Sequence, residues 1–220
     1  MRIIEGKQGT PEWWAHRRGR PTSSGFDRIV TPAKGDLSKQ ADGYIAELIA
    51  EVYDPGYGQV DDYVSDAMAR GLIMEPAARS FYEFERGVEV RQVCVVIDDD
   101  DRFLTSPDGL VGADGLVEIK SPSPKTHVGY LLDGGLPTAY RCQVHGQMIV
   151  TGWQWCDFLS YVHGFPPMLL RVERDEFTAK LAIAMAEFWP RYQAALARIE
   201  AMGIPVPAPV ADEDVDVPFF

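Results

Sequence analysis

Three side chains set the chemistry open to this sequence. Asp108, Glu118 and Lys120 lie in the stretch 104–122, LTSPDGLVGADGLVEIKSP, with glycines between them. Alternate residues of a strand share a face, so Glu118 and Lys120 point the same way while Ile119 points into the core. If Asp108 ends a neighbouring strand, its carboxylate meets the other two. Two carboxylates suit a hard cation such as Mg²⁺, which takes oxygen ligands. A lysine beside them can position a water or take its proton. Together they are the equipment of metal-assisted phosphodiester hydrolysis. The bland alternative is a hairpin with three solvated charges, and a D…ExK spacing alone does not separate the two.

The elements around that stretch have to position it. A chain of 220 residues, 46 % apolar and 25 % charged, can bury a sizeable core within one domain. No apolar run is long enough to span a membrane. The opening MRIIEGKQGTPEWW lacks the apolar segment and cleavage site of a secretory leader, so the expected compartment is the cytoplasm. Cys94, Cys142 and Cys156 form no CxxC pair. They fit buried, reduced thiols better than a disulfide framework or a zinc site, and three thiolates are too few for an iron–sulfur cluster. The net charge of −12 argues against general affinity for nucleic acid. Its distribution is uneven, however. Residues 1–40 hold eight Lys or Arg against four acids, and the last ten residues hold four acids and no base. A basic surface on an acidic body is compatible with a nuclease that takes DNA into one confined groove.

Proline, glycine and capping residues divide the chain. A short helix starts at Pro11 and is broken by Gly19 and Pro21, with Trp13 and Trp14 expected in the core. Thr22, Ser23 and Ser24 offer caps for a second short helix carrying Phe26, Ile29 and Val30. Ser38 is expected to cap a helix to about Tyr53, and Ser65 a longer one ending at Gly87. Pro76 predicts a break or kink near Met74–Glu75 in that second helix. Strands are expected over 88–90, 93–97, 103–105 and 116–120, with Asp98–Asp101 as a solvated turn. A short helix over 126–132, a helix over 139–150 and strands over 155–162 and 168–172 follow. Asp175 caps a last helix to about Met202, kinked at Pro190. The order predicts an α/β or α+β fold with a mixed sheet.

Four blocks in this order resemble the lambda exonuclease / YqaJ viral recombinase family, within the PD-(D/E)xK nuclease fold. They are Glu12-Trp13-Trp14 to Arg17 with Gly19 and Thr22–Ser24, then Gly71–Glu75 with Ala78 and Phe81-Tyr82. Ser106–Leu110 with Gly115–Pro122 is the third, and Tyr140–Met148 the fourth. The resemblance implies a restriction-endonuclease-like core, a mixed β-sheet flanked by helices, filling residues 1–204. It implies Mg²⁺ or Mn²⁺ on Asp108, Glu118 and the Ile119 carbonyl, with Lys120 orienting or activating the attacking water. Glu75 would act on a metal directly or through water. Gln143 would hold the water, Lys120 or the substrate. Arg17, Thr22 and Ser24 would hold a terminal 5′-phosphate, with Ser106 adding a contact, and the spacing favours Arg17 over Arg18. Where the family often reads Q-x-Q, this chain has His145 in the second position. Lys125 and Asp114 are polar residues nearby with no assigned role.

The activity implied is digestion of the 5′-ended strand of double-stranded DNA ends to 5′-mononucleotides in phage or prophage recombination, leaving 3′ overhangs. Ring-shaped trimers and a single-strand annealing protein are the implied partners. The alternatives are an endonuclease or RecB-like nuclease on the same core, or a DNA-end-binding scaffold with a decayed site. Residues 205–220 form an acidic, proline-spaced tail, expected to be flexible. Within it, Asp212–Phe220 resembles the acidic tip of bacterial single-stranded-DNA-binding proteins, which implies docking on a recombination protein that reads such tips.

Overall fold

The strand carrying Glu118 and Lys120, Gly115–Lys120, is buried at every position but the half-buried last. A strand covered on both faces can be apolar wherever it has no task, and here Glu118 breaks the run. The structure is a computed structural model that describes residues 1–54, 56–57 and 66–207, with the backbone alone at 66–70 and 72. The expected cap at Ser65 and the tail from 208 onward lie outside those residues.

The first half of the chain forms β1 (Arg2–Ile4), α1 (Pro11–Arg17), a 3-10 turn (Ser23–Arg28), α2 (Ala41–Tyr53) and α3 (Asp66–Arg86). Short strands follow: β2 (Val90–Arg91), β3 (Val95–Ile97), β4 (Leu104–Thr105), β5 (Gly109–Val111) and β6 (Gly115–Lys120). The rest is α4 (Pro124–Asp133), α5 (Thr138–Thr151), β7 (Trp155–Ser160), β8 (Met168–Glu173) and α6 (Glu176–Glu200). The main sheet has the order β2-β5-β6-β7-β8, and β1-β3-β4 form a smaller antiparallel one. Only β6 and β7 run parallel, in register from Gly115 opposite Trp155 to Lys120 opposite Ser160. A parallel neighbour requires a crossover, which α4 and α5 supply. Leu116 packs with Val144 and Met148 of α5. On the other face Val117 and Ile119 pack with Ala78 and Tyr82 of α3. The expected mixed α/β fold is the one observed, and Ile119 points away from Glu118 as the alternation requires.

Charged groups pin the layers. Asp157 of β7 is fully buried. It accepts from Tyr82 Oη at 2.9 Å, from Arg171 Nε and Nη2 at 2.9 and 3.0 Å, and pairs with Arg86 Nε at 3.3 Å. That network ties α3 and β8 to the sheet. The Asp98–Asp101 run turns β3 into β4 as expected. Asp98 Oδ1 accepts from the N–H groups of Arg102 and Phe103, and Asp101 adopts φ +58°, which Asp tolerates better than most residues.

Several expectations need correction. The strands β1 and β5 are each three residues long, and neither was expected. In β5 the first residue must be glycine, because a Cβ at Gly109 would lie 2.0 Å from Val90 Cγ1. The helix α2 begins at Ala41, because the Ser38 hydroxyl accepts from Gln40 N–H and closes a turn before it. Both α3 and α6 continue through Pro76 and Pro190. Both prolines face solvent, where water can satisfy the carbonyl each leaves without a partner. Trp13 and Trp14 are half-buried, and α1 buries no residue fully.

The 3-10 turn packs against α5 at Gly146. A Cβ there would lie 2.4 Å from Phe26 Cδ2. In a solvated helix Gly→Ala gains about 1 kcal/mol. Here Gly146→Ala is expected to destabilise by about 1–3 kcal/mol, the usual effect of overpacking. Urea denaturation checks it, and a stabilised variant would show that this contact yields easily.

Candidate active site

The pairing of β5 with β6 ends at Gly109 opposite Val117. One step beyond, Asp108 takes over, and its Oδ2 accepts from the Ile119 N–H at 2.6 Å. The N–H and C=O of a strand residue face the same edge, so the Ile119 carbonyl lies on the Asp108 side. The Lys120 carbonyl faces the other edge and accepts from Tyr161 N–H at 2.9 Å. Glu118 is 1 % exposed. Its Oε1 accepts from Gln143 Nε2 at 2.6 Å and pairs with the Lys120 ammonium, and its Oε2 accepts from Gln147 Nε2. The Cys156 thiol donates to Gln147 Oε1 at 3.5 Å, which aims the amide nitrogen at Glu118. The structure therefore gathers Asp108, Glu118, Lys120 and Gln143 at one end of β6.

Burial raises the Asp108 carboxyl well above the ordinary carboxylate range, and the Glu118 charge raises it further. Lys120 and the Ile119 N–H oppose that without cancelling it. Burial alone would lower the Lys120 ammonium, but Glu118 and Asp108 outweigh it and raise it. As it stands, Lys120 is a charged hydrogen-bond donor and not a base. Glu75 of α3 is half-buried and pairs with Arg79, one turn along, while its charge is felt at Asp108. Among the described residues no three His, Cys, Asp or Glu side chains form a ready metal cluster. The donors that fit a hard divalent cation are the two carboxylates, Asp108 and Glu118, and the Ile119 carbonyl. Glu75 would have to leave Arg79 or act through water.

Two residues before Asp108, Ser106 Oγ accepts from Trp13 Nε1 at 2.8 Å and from Arg17 Nη1 at 3.2 Å. Arg17 Nη2 reaches Thr22 Oγ1 at 3.4 Å and Ser24 Oγ at 3.3 Å. The guanidinium lies 4.4 Å from the centre of the Trp13 ring. Burial lowers the Arg17 guanidinium below its ordinary value, opposed by Tyr44 and Glu51. Its direct partners are hydroxyls and an aromatic face, and a half-buried cation so placed gains from an arriving anion. A cavity of about 200 Å³ opens here, where Arg18, Arg20 and Arg28 join Arg17, Thr22 and Ser24. Arg20 pairs with Asp101, and Arg28 pairs with Glu47 over the Tyr44 ring. Arg18 lines the cavity but does not meet the hydroxyls, so Arg17 is the arginine at this seat. The Thr22 side chain caps no helix, although Thr22 precedes the 3-10 turn.

Two site residues escaped the sequence. Gln147 is the second amide on Glu118, and its signal was the helical spacing from Gln143. His145 does not take that place. Its Nδ1 bonds Thr178 Oγ1 at 2.8 Å on the far side of α5. Trp13 is the other, a brace for Arg17 and Ser106. Asp114 accepts from Trp155 Nε1 at 3.3 Å at the opposite end of β6, and Lys125 sits exposed in the first turn of α4.

The model of the YqaJ-like viral recombinase domain matches residues 12–154, a span holding the carboxylate centre and the arginine seat. The chain belongs to this family. Among solved structures it is similar to an alkaline exonuclease, LHK-Exo, from Laribacter hongkongensis. The identity is 34 % and the TM-score 0.76, over 88 % of this chain and 98 % of that one. A second structure of LHK-Exo, in complex with dAMP, gives 32 % and 0.75 over the same shares. A phage related exonuclease from Haemophilus somnus 129PT, at 14 % identity and TM-score 0.60 over 82 % and 96 %, shares the fold. No curated protein sequence matches the chain. No helix among the described residues is long and apolar enough to cross a membrane.

The raised Asp108 carboxyl makes this YqaJ-family site a liability to stability. A group whose folded value lies above its unfolded one contributes fully below the ordinary carboxylate range, and that contribution is lost as pH rises through the folded value. In EDTA, Asp108→Asn is expected to be more stable than the native protein at pH 8, by on the order of 1 kcal/mol. The advantage should shrink toward pH 4. Thermal melts across that range check it, and an advantage constant with pH would locate the strain elsewhere.

Proposed function

We propose that this protein is a metal-dependent DNA exonuclease that digests the 5′-ended strand of double-stranded ends and leaves 3′ overhangs. The observation that carries the reading is the tripeptide Ser106-Pro107-Asp108. Its first residue touches the half-buried Arg17, and its last stands at the carboxylate pair. An anion seat and a hydrolytic centre are thereby fixed two residues apart, as a cut measured from a terminal phosphate requires.

In this reading Arg17 grips the 5′-phosphate oxygens, and Thr22, Ser24 and Ser106 complete the seat. A Mg²⁺ or Mn²⁺ ion on Asp108, Glu118 and the Ile119 carbonyl would supply charge neutralisation at the scissile phosphoryl group and acidify the attacking water. Gln143 and Gln147 hold Glu118 in place by donating to its two oxygens. Lys120 orients the water by donating to it. Neutralising Asp108 and Glu118 would weaken their hold on its proton, bringing Lys120 closer to acting as a base. Glu75 supports the site from α3. The product is a 5′-mononucleotide, and the relative solved with dAMP is consistent with a site of that kind. A ring of copies around DNA would retain substrate despite the net charge of −12. A single-strand annealing protein in the cytoplasm of a phage-bearing host is the expected partner of the overhang.

The test is a linear duplex with a labelled 5′-phosphate, set against a closed circle, with Mg²⁺ or EDTA. Digestion of the linear form from the 5′ end, with Mg²⁺ alone, is expected. A cleaved circle would make the protein an endonuclease, and two intact substrates would make it a scaffold. Asp108→Ala and Lys120→Ala are each expected to abolish digestion with the fold retained by circular dichroism. Arg17→Ala should erode the preference for 5′-phosphate over 5′-hydroxyl ends, and an unchanged ratio would remove Arg17 from the seat.

A further inference from the structure

The arginine cavity is larger in charge than a single terminal phosphate needs. Four arginines line it against two glutamates, Glu47 and Glu51, and Arg20 is already paired with Asp101, which leaves Arg17 and Arg18 without a carboxylate partner among the described residues. Glu47 is already paired with Arg28, and Glu51 accepts from the Gly19 N–H at 2.9 Å. Burial raises the Glu51 carboxyl above its ordinary value, which weakens it further as a counter-charge. Trp14 and Tyr57 add aromatic faces to the same wall. The cavity thus presents surplus cation and aromatic surface on a body whose net charge is −12.

The same chain carries the complementary chemistry. Residues 208–220 read APVADEDVDVPFF, with Asp212, Glu213, Asp214 and Asp216, no Lys or Arg, and the pair Phe219-Phe220. The path of α6 brings the chain near the cavity. Tyr192 Oη donates to the carbonyl of Gly19, between Arg18 and Arg20, at 2.6 Å. Ile199, two turns on, packs on the core cluster that holds Leu48, and Leu48 lines the cavity. Glu200 stands roughly 12 Å of helix beyond Tyr192 and Pro207 at most roughly 25 Å beyond Glu200, against roughly 40 Å for thirteen extended residues from Pro207.

We propose that residues 208–220 fold back on their own chain and dock in the arginine cavity, their carboxylates standing where DNA phosphate would stand. Asp212, Glu213, Asp214 and Asp216 supply the charge that Arg17 and Arg18 lack. Phe219 and Phe220 meet Trp14, Tyr57 or a guanidinium face, contacts favourable for an aromatic pair or a cation over a ring. The contact need not be strong. A short tether holds its ligand at an effective concentration of about 1 mM, so a segment with millimolar affinity already occupies its site half the time. A DNA 5′-end with several phosphates displaces it, while a stray anion does not. The displacement step rests on the proposed 5′-phosphate seat, but the docking does not.

The experiment uses the full chain with Phe220→p-benzoylphenylalanine, irradiated without DNA or metal, and maps crosslinked peptides by mass spectrometry. Crosslinks within one chain to residues 14–28 or 44–57 are expected, and they should fade in 0.5 M salt. No crosslinks, crosslinks elsewhere, or crosslinks only between copies would overturn the docking. A short 5′-phosphorylated duplex in EDTA should suppress the crosslinks, and its 5′-hydroxyl counterpart should do so less. Cavity crosslinks that both duplexes leave intact would uphold the docking and count against the 5′-phosphate seat. In a second variant, with all four carboxylates changed to amides, 5′-phosphorylated ends are expected to bind roughly two- to tenfold tighter at low salt. Binding of 5′-hydroxyl ends should change less. An equal gain for both ends would reduce the tail to a general charge effect and overturn competition for the cavity.

Discussion

A carboxylate buried in the middle of a sheet is the constraint that the rest of this structure serves. Glu118 lies at 1 % exposure on the central strand. An isolated charge there would cost several kcal/mol in lost hydration. It is tolerated because one ammonium and two amides point at its oxygens. The amides come from successive turns of α5, so α5 must lie along β6. It can do so because α5 belongs to the crossover between two parallel strands. The parallel pair, the crossover and the buried charge are one solution. Gly146 lets the same helix accept the 3-10 turn on another face, which brings the Thr22–Ser24 hydroxyls to the neighbourhood of the centre.

The second constraint is that Asp108 must stand near Glu118, which each charge resists. The chain accepts this repulsion at neutral pH. The Ile119 N–H and Lys120 soften it, and the site is thereby left with an appetite for positive charge. Arg17 is the mirror case, a cation among hydroxyls. Ser106, which touches Arg17, and Asp108, which stands at the carboxylate pair, bring these two sites of opposite charge within two residues of chain.

Most of this could be read in the sequence where periodicity or a cap was strong. The strand Leu116–Lys120, the capped helix from Asp175, the helix over 139–150 and the acidic turn all stand where their residues imply. What failed was short or indirect. Three-residue strands such as Arg2–Ile4 and Gly109–Val111 carry too little alternation to stand out, and the second opens on a glycine needed for close approach and is followed by one with φ +61°. Neither Pro76 nor Pro190 ends its helix, because both rings face water and the helices are held by packing on their other sides. The site was legible in its charged members and obscured in its amides. On a helix, residues two apart face away from each other and residues four apart share a face. In this chain the second amide on Glu118 is therefore Gln147, four residues from Gln143, while His145 turns to Thr178.

The link from Ser106 to Asp108 has a consequence of its own. Helices slide and sheets twist as a protein breathes, yet two peptide units span at most about 7 Å whatever the packing does. The distance between the arginine seat and the carboxylates is thus set largely by bond lengths. If the proposed function holds, thermal motion would blur how firmly an end is gripped but have little purchase on the stride. Relatives that drift in sequence around this loop would keep the same stride as long as they keep its length, and a single inserted residue would change it more than many substitutions in the core.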